Sequence, residues 1–154
     1  MNLLLLTPQD CPQANIAHLT GRRLQHVLEV HQAKIGQKLR VGMVNGLMGE
    51  AEITHLDKQL LQLDFVLNES PPAKLPLTLL LALPRPKMLK RILQTVATMG
   101  VQRLVLMNSY RIEKSFWDSP FLQLHAIEEE LILGLEQGKD TVLPQVMIEK
   151  RFKP

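Results

Sequence analysis

Apolar positions along this chain change their period once, and the change divides it. In residues 38–44 (Lys-Leu-Arg-Val-Gly-Met-Val) apolar and polar positions alternate up to the turn signal Asn45-Gly46. Residues 50–56 and 60–67 follow, separated by Asp57-Lys58-Gln59. A period of two puts alternate side chains on one face of a pleated ribbon, so these runs predict strands. Ahead of them, residues 20–29 predict a helix, with Thr20 as its cap and Leu24, Val27 and Leu28 on one face; Gly36 closes the connection into the sheet. The leading run Leu3-Leu4-Leu5-Leu6 predicts a first strand. Many short strands with one helix imply a small β-barrel.

Beyond residue 74 the pattern is different. Leu77-Thr78-Leu79-Leu80-Leu81-Ala82-Leu83 is a nearly unbroken apolar run that stops at Pro84-Arg85-Pro86-Lys87. Such runs suit strands covered on both faces. Pro86 opens a helix to residue 99, with Leu89, Ile92, Leu93 and Val96 as its buried stripe, Lys87, Lys90, Arg91 and Gln94 opposite, and Gly100 as its left-handed stop. Residues 103–107 form a second apolar strand, followed by the polar loop Asn108-Ser109-Tyr110-Arg111-Ile112-Glu113-Lys114. Ser119 and Pro120 open a helix to about residue 137, before Gly138, and residues 144–149 form a third strand. The order βαβαβ is half of a doubly wound α/β sheet with right-handed crossovers. Three strands and two helices leave one flank of an apolar sheet unprotected, so the sequence ending Arg151-Phe152-Lys153-Pro154 reads as unfinished.

The break between the two patterns, Asn68-Glu69-Ser70-Pro71-Pro72-Ala73-Lys74, is a semi-rigid linker, which places the domains at residues 1–71 and 72–154. Of the 154 residues, 45% are hydrophobic, enough for a real core. No stretch is long and apolar enough to span a bilayer, so no membrane partner is expected. The N-terminus lacks the cationic region of a signal peptide, and the lone Cys11 excludes an intrachain disulfide; both suit the cytoplasm. A net charge of +3 is compatible with nucleic acid. At 4% aromatic residues, contacts to phosphate and sugar are expected to outweigh base stacking.

Candidate chemistry gathers on cations. Arg85, held between two prolines, and Lys87 stand at a strand end beside a helix N-terminus, where ligands of open α/β sheets collect and where phosphate is favoured. A tight turn with two solvated cations is the alternative. Arg22 and Arg23 at the start of the first helix, and Arg40 on a strand, suit backbone phosphates, or else serve solubility. With Lys90 and Arg91 these make seven candidate RNA-binding residues. His26, Glu29 and His31 match no metal-ligand spacing, and His18, His55 and His125 are isolated, so no metal is expected. No Gly-x-Ser-x-Gly, P-loop or Gly-x-Gly-x-x-Gly occurs. Glu128-Glu129-Glu130 point in different directions on a helix and read as a solvated face.

Taken together, His26-Val27-Leu28-Glu29-Val30, Gly36, Leu39-Arg40-Val41, Asn45-Gly46, Pro84-Arg85-Pro86-Lys87-Met88, Glu113-Lys114, Glu136-Gln137 and Pro144 resemble, in order, the RsmE family of ribosomal RNA small-subunit methyltransferases. The resemblance implies a PUA-like β-barrel that contacts RNA, then a SPOUT methyltransferase domain with a C-terminal knot. It also implies methyl transfer from S-adenosylmethionine to N3 of a uridine in 16S rRNA, the small ribosomal subunit as partner, and a homodimer. The family's Gly-Pro-Glu-Gly-Gly and Leu-Gly-x-Arg-x-Leu-Arg cofactor segments do not occur here, and Gly138-Lys139 stands where many members have a small residue followed by Arg. The expectation is therefore a barrel plus the first part of the methyltransferase domain, with no cofactor-binding residue, no measurable affinity for S-adenosylmethionine and no activity alone. The catalytic base is not assigned. Two other classes stay open: a non-catalytic RNA-binding protein using the same barrel, and a small-molecule enzyme using the Arg85–Lys87 crevice.

Overall fold

A computed structural model describes residues 1–30 and 32–151; His31, weighed above as a metal ligand, and the terminal Phe152, Lys153 and Pro154 lie outside the described residues. The chain forms two compact units, Met1–Pro71 and Pro72–Pro154.

The first unit contains β1 (Leu4–Leu6), β2 (Ile16–Leu19), α1 (Gly21–Glu29), β3 (Lys38–Met43), β4 (Met48–Leu56) and β5 (Leu61–Glu69). The strands order as β1-β3-β4-β5-β2, with β1 parallel to β3 and the other pairs antiparallel. Alternation sorts the two faces: Ala51 and Ile53 of β4 and Leu61, Leu63 and Phe65 of β5 are buried, whereas Glu50, Glu52 and Asp64 are exposed. Leu24 and Val27 of α1 pack onto the inward residues. Each of the larger side chains so buried, Ala51 aside, contributes on the order of 1.5–3 kcal/mol. Asn45-Gly46 does turn β3 into β4, with the Gly46 N–H donating to the Met43 carbonyl at 2.8 Å, and the Gly36 N–H reaches the Ile53 carbonyl at 2.7 Å. Thr20 caps α1 only by its backbone; its side chain makes no capping bond.

The expected barrel is instead a curled sheet, a half-barrel. A closed barrel would pair its outer strands, and among the described residues no ladder joins β1 to β2. β2 itself was not foreseen. Its four residues, Ile-Ala-His-Leu, are too short for periodicity to declare, and the pairing to β5 makes them a strand.

The second unit contains β6 (Leu75–Ala82), α2 (Pro86–Thr98), β7 (Val101–Met107), α3 (Lys114–Trp117), α4 (Leu124–Gly138) and β8 (Gln145–Glu149). Its three strands are parallel in the order β6-β7-β8. The sheet advances in one direction, so crossovers of one hand put both long helices on the same face. Leu104 and Leu106 of β7 are buried with Leu89, Leu93 and Val96 of α2 and Ile127, Leu131 and Leu135 of α4. The alternate residues tell the other half of the story. Leu80, in register with Val105, which is itself in register with Met147, is 61% exposed. The apolar run in β6 is therefore not covered on both faces in this chain. It is an edge strand, and Pro76, which could not donate to a ladder, sits where the register slips between Leu75 and Thr78.

Two helix readings are also corrected. Ser119 and Pro120 open only a short 3-10 turn, Pro120–Leu122, capped by the Ser119 hydroxyl, and α4 starts afresh at Leu124; the short α3 was not foreseen. Gly138 does not stop α4. It is the last helical residue, and the left-handed stop falls on Lys139 at φ 53°. Gly138 serves a different need: with Gly134 it lets α4 press against α2. A Cβ at Gly134 would collide with the Gln94 carbonyl oxygen, and one at Gly138 would lie 2.7 Å from that of Thr98. The close approach lets the Thr98 hydroxyl donate to the Gly134 carbonyl at 3.0 Å. Glu130, read as solvated, is buried here and accepts from Gln94 Nε2 at 2.6 Å and pairs with Lys90 Nζ at 3.1 Å. Lys74 and Asp140 form a further buried pair at 2.7 Å, with Asp140 also accepting from the Thr141 and Val142 N–H groups.

Gly134→Ala discriminates close packing from helix propensity. Ala stabilises a helix interior by about 1 kcal/mol over Gly, whereas overpacking costs about 1–3 kcal/mol. We expect a net loss of stability, read as a lower denaturant midpoint by circular dichroism; a gain would show that α2 and α4 can separate without penalty.

Candidate nucleic-acid interface

Parallel pairing brings the carboxyl ends of β6, β7 and β8 to one edge of the second unit. The chain leaves β6 through Leu83 and Pro84 into Arg85, whose extended backbone (φ −54°, ψ 144°) precedes Pro86 at the first turn of α2. The Arg85 carbonyl accepts from the Met88 and Leu89 N–H groups at 2.9 Å each, so the helix start is closed by backbone while the Arg85 side chain stays exposed. Arg85 and Lys87 line one crevice with Glu113 and the rings of Phe116 and Phe121. Lys90 Nζ lies 4.6 Å from the centre of the Phe121 ring. On the other side of α3, the loop after β7 and the end of β8 form a second crevice containing Tyr110, Lys114, Trp117, Lys150 and Arg151.

Of the seven cations singled out by sequence, the structure brings Arg85 and Lys87 together at this edge. Lys90 is engaged with Glu130 and Phe121, and Arg91 lies exposed on α2 beside Gln94 and Thr95. The three in the first unit are placed differently. Arg22 is exposed on α1. Arg40 forms a two-pronged pair with Glu69, at 2.8 and 2.6 Å, and the hydrogen bond to Arg40 holds the Glu69 carboxyl below its ordinary value. Arg23 is internal to the fold: its guanidinium donates to both Asp10 oxygens at 2.7 Å and to the Leu5 carbonyl at 2.8 Å, with only 21% of the side chain exposed. That arrangement ties the end of β1 and the following 3-10 turn to α1.

Charge divides the same way. After Pro71 the chain carries twelve Lys and Arg against eight Asp and Glu; up to Pro71 it carries six against seven, so the net charges are +4 and −1. The excess cations belong to the second unit. What sequence reasoning missed is the aromatic component: Tyr110, Phe116, Trp117 and Phe121 fall within twelve positions, four of the chain's six aromatic residues. A whole-chain average of 4% concealed the cluster; a windowed count would have shown it.

The chemistry of this edge suits an anion. A sulfonium cofactor is a cation, and Arg85, Lys87, Lys114, Lys150 and Arg151 would repel it, with Glu113 the one carboxylate lining either crevice. Nor do the glycines of this unit offer a backbone cradle there: Gly134 and Gly138 are filled by α2, and Gly100 lies at the opposite end of β7. The residues lining these two crevices therefore do not fit the sulfonium of S-adenosylmethionine. Among the described residues no group of three His, Cys, Asp or Glu could hold a metal ion, and no helix is long and apolar enough to cross a membrane.

The carboxyl edge of this parallel sheet is thus both cationic and aromatic. The RNA methyltransferase domain family matches residues 71–154, more than half of the chain, and the chain belongs to that family. Across 99% of its length it is similar to two curated relatives, Ribosomal RNA small subunit methyltransferase E of Treponema pallidum (28% identity) and Ribosomal RNA small subunit methyltransferase E 1 of Borreliella burgdorferi (31%). It spans 58% and 63% of their lengths. Its fold is shared with the crystal structure of a Ribosomal RNA small subunit methyltransferase E from Neisseria gonorrhoeae bound to S-adenosyl methionine: TM-score 0.71, 19% identity, covering 96% of this chain and 61% of that one.

The Arg23–Asp10 pair yields a stability test. Burial pushes the Asp10 carboxyl up, but hydrogen bonds from Arg23 and from the Thr7 N–H and hydroxyl outweigh it, and the net shift is downward. Asp10 therefore contributes stability above its ordinary value of 3.8, and that contribution is lost as pH falls through the lowered value. Arg23→Ala and Asp10→Ala should each cost about 1–3 kcal/mol at neutral pH by leaving a half-buried polar partner unsatisfied. In guanidinium melts, the gap between the wild type and Asp10→Ala should close only in strong acid; a gap independent of pH would show that the carboxylate charge is immaterial.

Proposed function

We propose that this chain is part of an enzyme that methylates N3 of a uridine in 16S rRNA of the small ribosomal subunit, with S-adenosylmethionine as methyl donor. In this reading the first unit is PUA-like and the second is the opening part of a SPOUT methyltransferase domain. The observation that carries it is the edge where three parallel strands of an RNA methyltransferase domain deliver Arg85, Lys87, Lys114, Lys150 and Arg151.

Methyl transfer to N3 requires an in-line approach, so holding the nucleotide supplies much of the rate. N3 also loses a proton, and a cationic field near the ring favours the uridine anion that forms. Arg85 and Lys87 are placed to hold an RNA phosphate at the rim or to contribute that field. Arg85 presents a planar fork that fits phosphate bidentately, which Lys cannot reproduce. With Arg23 and Arg40 paired to carboxylates and the first unit at −1, the second unit holds more of the RNA than the resemblance alone implied. Association of two copies belongs to the same proposal, and sedimentation over a wide concentration range tests it, a monomer throughout removing it.

Deleting the gene and analysing 16S rRNA nucleosides by mass spectrometry is the decisive test. One N3-methyluridine should disappear and return on complementation; its persistence overturns the proposal. For the RNA contacts, Arg85→Ala and Lys87→Ala should each flatten the salt dependence of binding to a 16S rRNA fragment by about 0.7–0.9 in log–log slope. Arg85→Lys should keep the slope but weaken binding. Unchanged slopes in folded variants would place both residues outside the RNA path.

A further inference from the structure

The crevice between the end of β8 and the loop after β7 has an organisation that phosphate binding alone does not explain. Trp117, the chain's one tryptophan, is only partly buried, and its indole N–H donates to Asn108 Oδ1 at 3.3 Å. The Asn108 backbone N–H in turn donates to the Glu149 carbonyl at 3.3 Å, so the ring is tethered to the ends of two neighbouring strands. Tyr110, the one tyrosine, is 98% exposed and makes no packing contribution to the fold. Lys150 Nζ lies 5.8 Å from the centre of the Trp117 ring, at the outer limit of a cation–π contact. Lys114 and Arg151 complete the lining, and no carboxylate takes part in it.

We propose that this crevice binds one unpaired nucleotide of the RNA, its base stacked on Trp117 and covered by Tyr110, its flanking phosphates held by Lys114, Lys150 and Arg151. The proposal rests on the RNA-modifying function above and adds the form in which the substrate is held. An aromatic ring with a fixed edge and an accessible face is a stacking platform, and every base has a face to offer it. In a duplex those faces are occupied by neighbouring pairs, so only a nucleotide taken out of its stack can use the platform; enzymes acting on a base extract it in this way. Lys150 is the moving part. Its ammonium covers the indole weakly when RNA is absent, and an arriving base displaces it onto the phosphate. The four-residue α3 places Trp117 on this crevice and Phe116 on the neighbouring one with Arg85 and Lys87, so one short turn separates the base platform from the phosphate-binding rim.

Because Trp117 is the sole indole, intrinsic fluorescence reads this site directly. The probe is a short single-stranded oligouridylate, compared with a duplex of equal length and with an oligomer of the same phosphates carrying abasic positions. The oligouridylate should quench the tryptophan emission, and neither comparison strand should. In parallel, anisotropy of a labelled 16S rRNA fragment should show Trp117→Ala weakening binding about tenfold or more and Trp117→Phe weakening it much less. Tyr110→Ala, whose side chain touches nothing structural, should weaken binding several-fold with unchanged circular dichroism, which keeps the test valid if Trp117→Ala does not fold. Lys150→Ala and Arg151→Ala should each lower the salt slope by about 0.7–0.9. If the rRNA fragment binds but the oligouridylate leaves the emission unchanged and Tyr110→Ala binds normally, this site is overturned while the RNA function stands. If neither RNA binds, both fall together. Quenching by the abasic strand equal to that by oligouridylate overturns the stacking.

Discussion

Parallel pairing of β6, β7 and β8 is the constraint on which the second unit depends. A parallel neighbour can be reached only by carrying the chain back across the sheet, so each strand must be followed by a crossover long enough to hold a helix. The two crossovers place α2 and α4 side by side, and the space between them is set by Gly134 and Gly138, where a single Cβ would meet carbonyl oxygens of α2. The same pairing directs all three strands to one edge. Loops that are 25 and more residues apart along the chain, those carrying Arg85, Tyr110 to Trp117, and Lys150 with Arg151, therefore become neighbours. Neither the helix packing nor the ligand edge could survive an antiparallel arrangement.

Cations in this protein have two distinct physical lives. Some are matched with carboxylates: Arg23 is held by Asp10 and the Leu5 carbonyl, Arg40 by Glu69, Lys74 by Asp140 and Lys90 by Glu130. Burying a guanidinium without such partners would be costly, so the Arg23 pair is a requirement of the fold rather than a surplus of charge. At the carboxyl edge of the second unit the cations face aromatic rings and open crevices, with a single carboxylate, Glu113, among the lining residues. Charge left uncompensated by its own fold is available to a partner, which a count of basic residues does not reveal.

Much of the architecture is legible along the chain because it rests on local rules. The period-two pattern of β4 and β5, the Asn45-Gly46 turn, Pro86 at the head of α2, Gly100 behind it, and the Pro71-Pro72 pair at the junction of the two units all act over a few residues. Features decided by partners distant in sequence were not legible. β2 exists because β5 pairs with it, and Gly138 reads as a helix stop until α2 is seen pressed against it. The apolar run of β6 announces a strand but not how many of its faces are covered, since that depends on which side both crossovers take.

The site shows the same division more sharply. Residue types and their order determined by themselves that an RNA methyltransferase domain follows a small β unit, and that Arg85 and Lys87 stand at a strand end, because a Pro-Arg-Pro stop and helix periodicity are local chemistry. Only the tertiary structure decided which cations are consumed internally. Asp10 and Arg23 are thirteen residues apart, Arg40 and Glu69 twenty-nine, and no local rule joins them. It also decided that Trp117, Tyr110 and Lys150 share one crevice. A side chain's partners depend on the pairing of strands and the packing of helices, and those are properties of the whole folded chain, which no window of sequence contains.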